Sequence, residues 1–407
     1  MAGLWQIVRS GHWPSLAGAW LHFECSFMLW LLIGALGVPI AQEFGLSATH
    51  KGLLVAMPIL AGALLRIPVG LLSDRSGPKR VGVALLVCQA AALLWGWQGA
   101  ESYRAVLAMG LLLGTAGASV AVALPVAARA YPAAHQGLAM GIAASANSGT
   151  VLAMFLAPRM ADLVGWHGVF GLLLVPLALV TGSFVLLVRG DREEGCAVQE
   201  TEAINKADDT APSLYRLPSV YWLCFIYSVT FGGFVGLSSF LPIFFHDQYG
   251  LTPVAAGSLT ALGGLVGSLI RPFGGYVADR VGGLGVLRMV FPLIAGLGVG
   301  LAQLPPWPVA VSLLIGLLAA MGFGNGVVFQ VVAERFRRRI GEASGLIGAA
   351  GGLGGFLVPV WLGLLKDATG GFGGGFLLLG GVAVLAFVSV VLALARRRSA
   401  TVCAASD

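Results

Sequence analysis

Long apolar segments, separated by short polar or glycine- and proline-containing breaks, dominate this chain of 407 residues. A run of about 17 or more apolar residues is long enough to cross a bilayer as a helix. The pattern predicts twelve such spans, near 16–40, 50–72, 80–99, 103–128, 136–158, 166–189, 217–245, 252–278, 284–303, 307–332, 342–365 and 374–395. The first run is too long for a cleavable signal peptide. We therefore expect an all-α membrane protein with twelve transmembrane helices.

Charge supports this interpretation and predicts an orientation. The chain is 57% hydrophobic and only 10% charged, whereas a soluble domain carries about 25% charged residues. Of its 24 Lys and Arg residues, 18 fall on one side of the predicted spans, four on the other and two inside spans. Because positive loops stay inside, we expect both termini in the cytoplasm and a location in the cytoplasmic (inner) membrane. The net charge of +6 then reflects topology, so we expect a lipid bilayer and no nucleic acid as partner.

An acidic segment interrupts the apolar pattern near the middle of the chain. Residues 190–216 contain seven acidic side chains, namely Asp191, Glu193, Glu194, Glu200, Glu202, Asp208 and Asp209. Such charge runs are usually solvated, so we expect a cytoplasmic linker. The linker separates a predicted N-terminal six-helix bundle at 1–189 from a C-terminal one at 217–398, with a cytoplasmic tail at 399–407.

The two halves repeat one another at an offset of 205 residues. The matching residues are Gly62, Arg66, Gly70, Asp74, Arg75 and Gly77 in the first half and Gly267, Arg271, Gly275, Asp279, Arg280 and Gly282 in the second. An even number of spans in each half makes this a parallel repeat, related by an axis along the membrane normal. In transporters built this way the substrate binds near the membrane midplane between the halves, and rocking of the halves gives alternating access.

Two arginines of this repeat, Arg66 and Arg271, lie deep inside apolar segments. A guanidinium cannot lose its proton, so each must face a polar cavity or a partner. Arg66 is eight residues, about 12 Å of helix, before Asp74, which is too deep to reach the interface easily. Glu24 is the one acidic residue well inside a predicted span, and it cannot neutralise both arginines. The pair therefore predicts an anion site; the alternative is an internal ion pair with a purely structural role.

The segment 70–80, Gly-Leu-Leu-Ser-Asp-Arg-Ser-Gly-Pro-Lys-Arg, resembles the loop signature of the major facilitator superfamily between spans two and three. A weaker copy occupies 275–282. The resemblance implies that Asp74, Arg75, Asp279 and Arg280 hold the inner gate shut. That role is common to the superfamily and does not indicate a substrate.

A narrower resemblance comes from the glycine-rich spans. Residues 114–153 are similar to spans four and five of the nitrate/nitrite porter family, and residues 324–359 to its spans ten and eleven. This resemblance implies the major facilitator fold, a monomer, no cofactor, and nitrate or nitrite as substrate. It also implies that Arg66 and Arg271 clamp the substrate, with the signature residue Asn147 and the aromatic residues Tyr227 and Phe231 beside it.

Other candidates follow from their position. Phe27 and Trp30 in span one are possible pocket aromatics. The glycines of span eleven, Gly351 and Gly352 among them, suggest either tight packing alone or a moving, backbone-lined ligand path. One departure is that Val120 stands where the family usually has Phe after Gly-Ala-Ser, which puts the discrimination between nitrate and nitrite in doubt.

Glu24 bears on how transport is driven. Moving nitrate inward against 100 mV costs about 2.3 kcal/mol, and symport with two protons would make entry electrically favourable. Glu24 is therefore a candidate for proton coupling, and we favour proton-coupled nitrate import. The alternatives are a local hydrogen bond for Glu24, nitrate/nitrite exchange, and transport of another small anion such as an organic phosphate. No nucleophile–base pairing or metal-ligand spacing in the sequence suggests an enzyme.

Overall fold

The computed structural model describes residues 10–132, 135–190, 214–336 and 340–404, and every regular element in these ranges is helical. The predicted all-α fold is confirmed. The first half contains Trp13–Trp30, Leu32–Ala35 and Gly37–Glu43 (span one), Ala48–Ser76 (two), Pro78–Gln98 (three), Tyr103–Leu113, Gly114–Ala118 and Val120–Arg129 (four), and Gln136–Ser145, Ala146–Ser148 and Gly149–Leu187 (five and six).

The second half begins with a short 3₁₀ turn, and its six spans follow in the order predicted. They are Pro218–Tyr227, Ser228–Gly232 and Gly233–Tyr249 (span seven), Pro253–Val281 (eight), Gly283–Ala302 (nine), Trp307–Arg335 (ten), Ile340–Thr369 (eleven) and Gly373–Ala404 (twelve). The last helix continues past the predicted end of span twelve at 395 into the predicted tail. Most of the acidic linker, residues 191–213, lies outside the described residues.

Ten helical stretches among the described residues are long and apolar enough to cross a membrane. One of them, Leu138–Leu187, contains spans five and six together. Span one is broken into three pieces and is not among the ten, so the helices cover all twelve predicted spans. The predicted loop between spans five and six is reduced to a kink at Gly165 with φ 71° and ψ 162°, a conformation open to glycine but strained for other residues.

The repeat seen in the sequence is also present in the backbone. Spans two and eight both contain 29 residues and begin and end 205 positions apart. Each is followed by a glycine with positive φ, 91° at Gly77 and 86° at Gly282, where a side chain would be strained. The same backbone turn therefore ends the equivalent helix in each half.

The repeat also places two equivalent helix crossings. Gly62 of span two approaches Gly117 of span four, where an added Cβ would lie 3.0 Å from the Gly117 Cα. At the equivalent crossing of spans eight and ten, a Cβ on Gly322 would overlap the carbonyl oxygen of Gly267. Small residues allow such close backbone contact between membrane helices.

The described helices group into two compact units, and each unit includes helix ends from both halves of the chain. The first comprises Met1–Leu46, Leu53–Leu217 and Ser239–Ala261, and the second Ser47–Gly52, Pro218–Ser238 and Leu262–Asp407. The predicted division into bundles at 1–189 and 217–398 stays a prediction.

Contacts inside each unit join spans of different halves. In the first unit, a Cβ on Gly34 of span one would lie 2.6 Å from the Ser239 carbonyl oxygen of span seven. In the second, the Asp367 carboxylate of span eleven accepts hydrogen bonds from the backbone N–H of Ala48 (3.1 Å) and of Thr49 (2.8 Å) and from the Thr49 hydroxyl (2.6 Å). A carboxylate in this position caps the first turn of span two and offsets its helix dipole.

The crossing of spans eight and ten gives a testable prediction. Gly322→Ala should lower the thermal unfolding temperature of the detergent-purified protein, because the new methyl group meets backbone that can only move with the helices. Gly285→Ala is the matched control, since nothing lies within 4 Å of a Cβ there and alanine is the better helix former. Equal unfolding temperatures for the two variants would show that the crossing is not tightly packed.

Candidate anion-binding site

The first half contributes Arg66, which is 7% exposed on span two. Its Nε donates a hydrogen bond to the carbonyl oxygen of Gly117 at 3.1 Å. Gly117 lies in the 3₁₀ turn that interrupts span four. The guanidinium carbon lies 5.3 Å from the ring centroid of Trp30, within the range of a cation–π contact. The side chain is therefore held by a backbone acceptor and an aromatic face.

Trp30 is fixed by the glycine crossing beneath it. Its indole N–H donates to the Pro58 carbonyl oxygen at 2.9 Å, and a Cβ on Gly117 would lie 2.5 Å from the indole ring. The ring of Phe27 packs against it, with centroids 4.9 Å apart. The structure thus brings the predicted aromatics Phe27 and Trp30 together and places Trp30 against Arg66.

A second break, the 3₁₀ turn Ala146–Ser148 in span five, carries Asn147 and contacts Glu24 through Ser148. Asn147 is 6% exposed, and its Nδ2 has no hydrogen-bond partner among the described residues. The Ser148 hydroxyl donates to Oε2 of Glu24 at 2.8 Å. At Gly149 a Cβ would overlap the Glu24 backbone carbonyl, so spans one and five touch here. In the part of the chain that the structure describes, Glu24 has no ion-pair partner.

The second half contributes an aromatic stack on a π-helical turn. Ser228–Gly232 is a π-helix inside span seven, a geometry often found at functional sites. The rings of Tyr227 and Phe231 stack with centroids 5.0 Å apart and planes 2° apart. Phe329 of span ten meets Tyr227 edge-on at 5.1 Å. The Arg271 guanidinium carbon lies 5.7 Å from the centroid of Phe231.

The two arginines differ in their surroundings. Arg66 is bonded to a backbone carbonyl, whereas Arg271 is only half-buried and has its aromatic contact but no hydrogen-bond acceptor among the described residues. A guanidinium has five N–H donors. Arg271 therefore retains the donors that an anion would need.

The glycines of span eleven support the aromatic stack. A Cβ on Gly351 would lie 2.5 Å from a ring carbon of Tyr227 and 3.0 Å from one of Phe231. A Cβ on Gly354 would lie 2.6 Å from the Ser228 carbonyl oxygen. Gly352 is buried in the same helix. Close packing therefore explains Gly351 directly, and it is what lets the Tyr227–Phe231 pair lie where it does.

The four predicted gate residues lie at helix ends away from these aromatics. Asp74 Oδ1 is 3.8 Å from Nη2 of Arg129 at the end of span four. The Arg280 guanidinium carbon lies 4.2 Å from the Tyr276 ring. Arg75 and Asp279 are exposed and have no ion-pair partner within the described residues. The Asp74 side chain is 72% exposed, so its ion pair contributes only about 0–1 kcal/mol.

Three contacts were not predicted from the sequence: the Gly117 carbonyl, the Ser148 hydroxyl and the Phe329 ring. Gly117 lies in the segment that carries the family resemblance, and Ser148 directly follows the predicted site residue Asn147. Their contacts depend on 3₁₀ turns, which the spacing of apolar residues does not reveal. Phe329 lies in the Gly-Asn-Gly-Val-Val-Phe-Gln segment that carries the family resemblance. The presence of an aromatic residue in this segment was the only feature of the sequence that could have indicated Phe329.

Comparisons with known proteins agree with this architecture. The family model described as Major Facilitator Superfamily matches residues 19–359. The fold is similar to that of a D-xylose–proton symporter, with a TM-score of 0.74, 16% sequence identity and coverage of 93% of this chain and 97% of that one. Family and fold define a multi-pass membrane transporter and not an enzyme.

Two relatives make the assignment narrower. The chain is 33% identical over 371 residues to the nitrite extrusion protein of Bacillus subtilis, covering 91% of this chain and 92% of that protein. It is 34% identical over 351 residues to the probable nitrate/nitrite transporter NarK2 of Mycobacterium tuberculosis, covering 84% and 86%. The chain therefore belongs to the nitrate/nitrite porter family of the major facilitator superfamily.

The support that Gly351 gives the aromatic stack can be tested. Gly351→Ala should raise the KM for nitrate uptake in proteoliposomes several-fold, because the methyl group must displace Tyr227 or Phe231, and small shifts of binding groups are costly. Gly345→Ala on the same helix is the control, with nothing within 4 Å of its Cβ. If both variants transport like the unmodified protein, the stack does not contribute to substrate binding.

Proposed function

We propose that this transporter carries nitrate across the membrane by alternating access and that Arg66 and Arg271 both bind the anion. The names of the two relatives support nitrate and nitrite as the substrate class. The observation that carries the proposal is the Arg271 guanidinium, which lies on the face of Phe231 without a hydrogen-bond acceptor among the described residues. The intramembrane carboxylate Glu24, bonded to Ser148, does not neutralise it.

The chemistry of the anion matches these groups. Nitrate is planar and singly charged, and a guanidinium is a planar fork that donates two parallel hydrogen bonds to two oxygens. Each guanidinium already lies over an aromatic ring, and such positioning before binding lowers the entropy lost when the anion binds. The buried Asn147 amide is a further donor for an anion oxygen.

The fork geometry predicts that lysine is a poor substitute. Arg66→Lys and Arg271→Lys keep the charge but lose the paired donors, so each should raise the KM for nitrate by about ten- to hundredfold. The measurement is initial nitrate uptake into proteoliposomes at fixed ionic strength. Arg104→Lys, at an exposed helix start, is the matched control. Near-normal nitrate affinity in either deep variant would remove that arginine from the site.

Alternating access gives a role to the contacts between the two halves. The capping of span two by Asp367, the approach of Gly34 to Ser239, and the hydrogen bond from Arg159 to Ser258 (2.9 Å) lie at ends predicted to face outward. We infer that these contacts close the outer gate and break when the carrier opens outward.

We also propose that the protein is a monomer in the cytoplasmic membrane, with both termini in the cytoplasm.

Glu24 is our candidate for coupling to protons. It is partly exposed, and its hydrogen bond to Ser148 links it to the 3₁₀ turn of span five that carries Asn147. Protonation would change that link while nitrate is bound, and co-transport of protons would offset the electrical cost of entry. We therefore propose proton-coupled import.

Nitrate/nitrite exchange is the second candidate. The relative named a nitrite extrusion protein supports an outward path for nitrite in this family. Exchange moves no net charge, and an anion always occupies the arginines when the carrier switches. Repulsion between the two guanidiniums would then hinder only the return of the empty carrier.

One variant separates the two candidates. Glu24→Gln can still accept the Ser148 hydrogen bond but cannot take up a proton. Under proton coupling, it should lose uptake driven by an imposed pH gradient and keep counterflow of labelled nitrate against internal nitrite. The control is Glu101→Gln, the same change at an exposed loop residue. Full gradient-driven uptake in Glu24→Gln would exclude Glu24, and uptake that needs internal nitrite but no gradient would establish exchange.

A further inference from the structure

Asn325 of span ten is a buried amide outside the anion-binding residues described above. It is 0% exposed, and neither its Nδ2 nor its Oδ1 has a hydrogen-bond partner among the described residues. A buried amide without partners destabilises the conformation that contains it, whereas leucine of similar shape would not. The position therefore suggests a partner that is present in another step of the transport cycle.

The two glycines that flank Asn325 pack against the segments that carry Phe231 and Arg271. A Cβ on the preceding Gly324 would lie 2.9 Å from the Thr230 methyl group, in the π-helical turn that carries Phe231. A Cβ on the following Gly326 would overlap the backbone carbonyl oxygen of Arg271. Span ten thus packs against the aromatic turn at the residue before Asn325 and against the backbone of Arg271 at the residue after it.

The helical repeat adds a third observation. Residues four positions apart lie on the same face of a helix, and the residue four positions after Asn325 is Phe329, whose ring meets Tyr227. Asn325 therefore shares a face with a side chain already in the aromatic cluster. Its counterpart 205 positions earlier is Val120, so the amide belongs to the second half alone.

We propose that Asn325 is a further binding residue, whose amide bridges Arg271 and the transported anion. In this arrangement Oδ1 accepts a hydrogen bond from the Arg271 guanidinium, and Nδ2 donates one to an oxygen of the anion. One rearrangement then satisfies both atoms of the amide and the unpaired donors of Arg271. The amide adds no charge, so it orients the anion without increasing the repulsion between the arginines. This inference rests on the proposed role of Arg271.

Substitutions at Asn325 test the bridge, with nitrate as the probe in proteoliposomes. Asn325→Leu removes both hydrogen bonds at similar volume and should raise the KM about tenfold, while the unfolding temperature stays the same or rises. Asn325→Asp keeps the acceptor for Arg271 but turns a carboxylate towards the anion, so it should impair uptake more than leucine does. If Asn325 has only a structural role, nitrate uptake should not fall further in Asn325→Asp than in Asn325→Leu.

Controls keep the outcomes distinct. Ser238→Ala, at another buried side chain whose hydroxyl has no partner in the described part of the chain, should leave the KM unchanged. If Asn325→Leu is not monodisperse in detergent, Asn325→Ser serves in its place. An unchanged KM in the folded variant overturns the bridge, even where Arg271→Lys abolishes uptake. Normal uptake in Arg271→Lys would instead remove Arg271 from the proposed site, on which this inference rests.

Discussion

A guanidinium that cannot lose its charge is the constraint on which the rest of this structure depends. Arg66 and Arg271 lie within helices of 29 residues whose other side chains are mostly apolar. Each therefore needs neighbours that stabilise a cation without cancelling it. The fold supplies a backbone carbonyl and an indole for Arg66, and a phenyl ring for Arg271. These neighbours are a carbonyl dipole and aromatic faces, which stabilise a cation without carrying a negative charge themselves.

Glycine is what allows those neighbours to come close. The Gly62–Gly117 crossing makes room for Trp30 beneath Arg66, and Gly351 makes room for the stacked rings of Tyr227 and Phe231 beside Arg271. Departures from α-helical hydrogen bonding occur at the same places, in the 3₁₀ turns of spans four and five and the π-helix of span seven. The membrane excludes exposed backbone polar groups, and these breaks lie among packed helices that can satisfy them.

Much of this could be predicted from the sequence, for identifiable reasons. Apolar length predicted the spans, because a bilayer sets a minimum helix length. The 205-residue offset matched Gly77 with Gly282, where the structure has equivalent backbone turns. The same reasoning missed the division of span one, the reduction of the loop at Gly165 to a kink, and the Ser148–Glu24 hydrogen bond. These features depend on which carbonyl oxygen accepts each backbone N–H and on contacts between helices distant in the sequence. Neither produces a periodic pattern of apolar residues along the chain. Asn325 was overlooked because a single amide in an apolar run looks the same whether or not it has a partner.

The central claim is that both arginines bind the anion, and ligand-dependent stability tests it most directly. A ligand that binds the folded state raises the unfolding temperature as its concentration increases. We predict that nitrate stabilises the detergent-purified protein relative to sulfate at equal ionic strength, and that Arg66→Gln and Arg271→Gln each fold but lose this stabilisation. A nitrate-dependent shift of unchanged size in both variants would contradict the account.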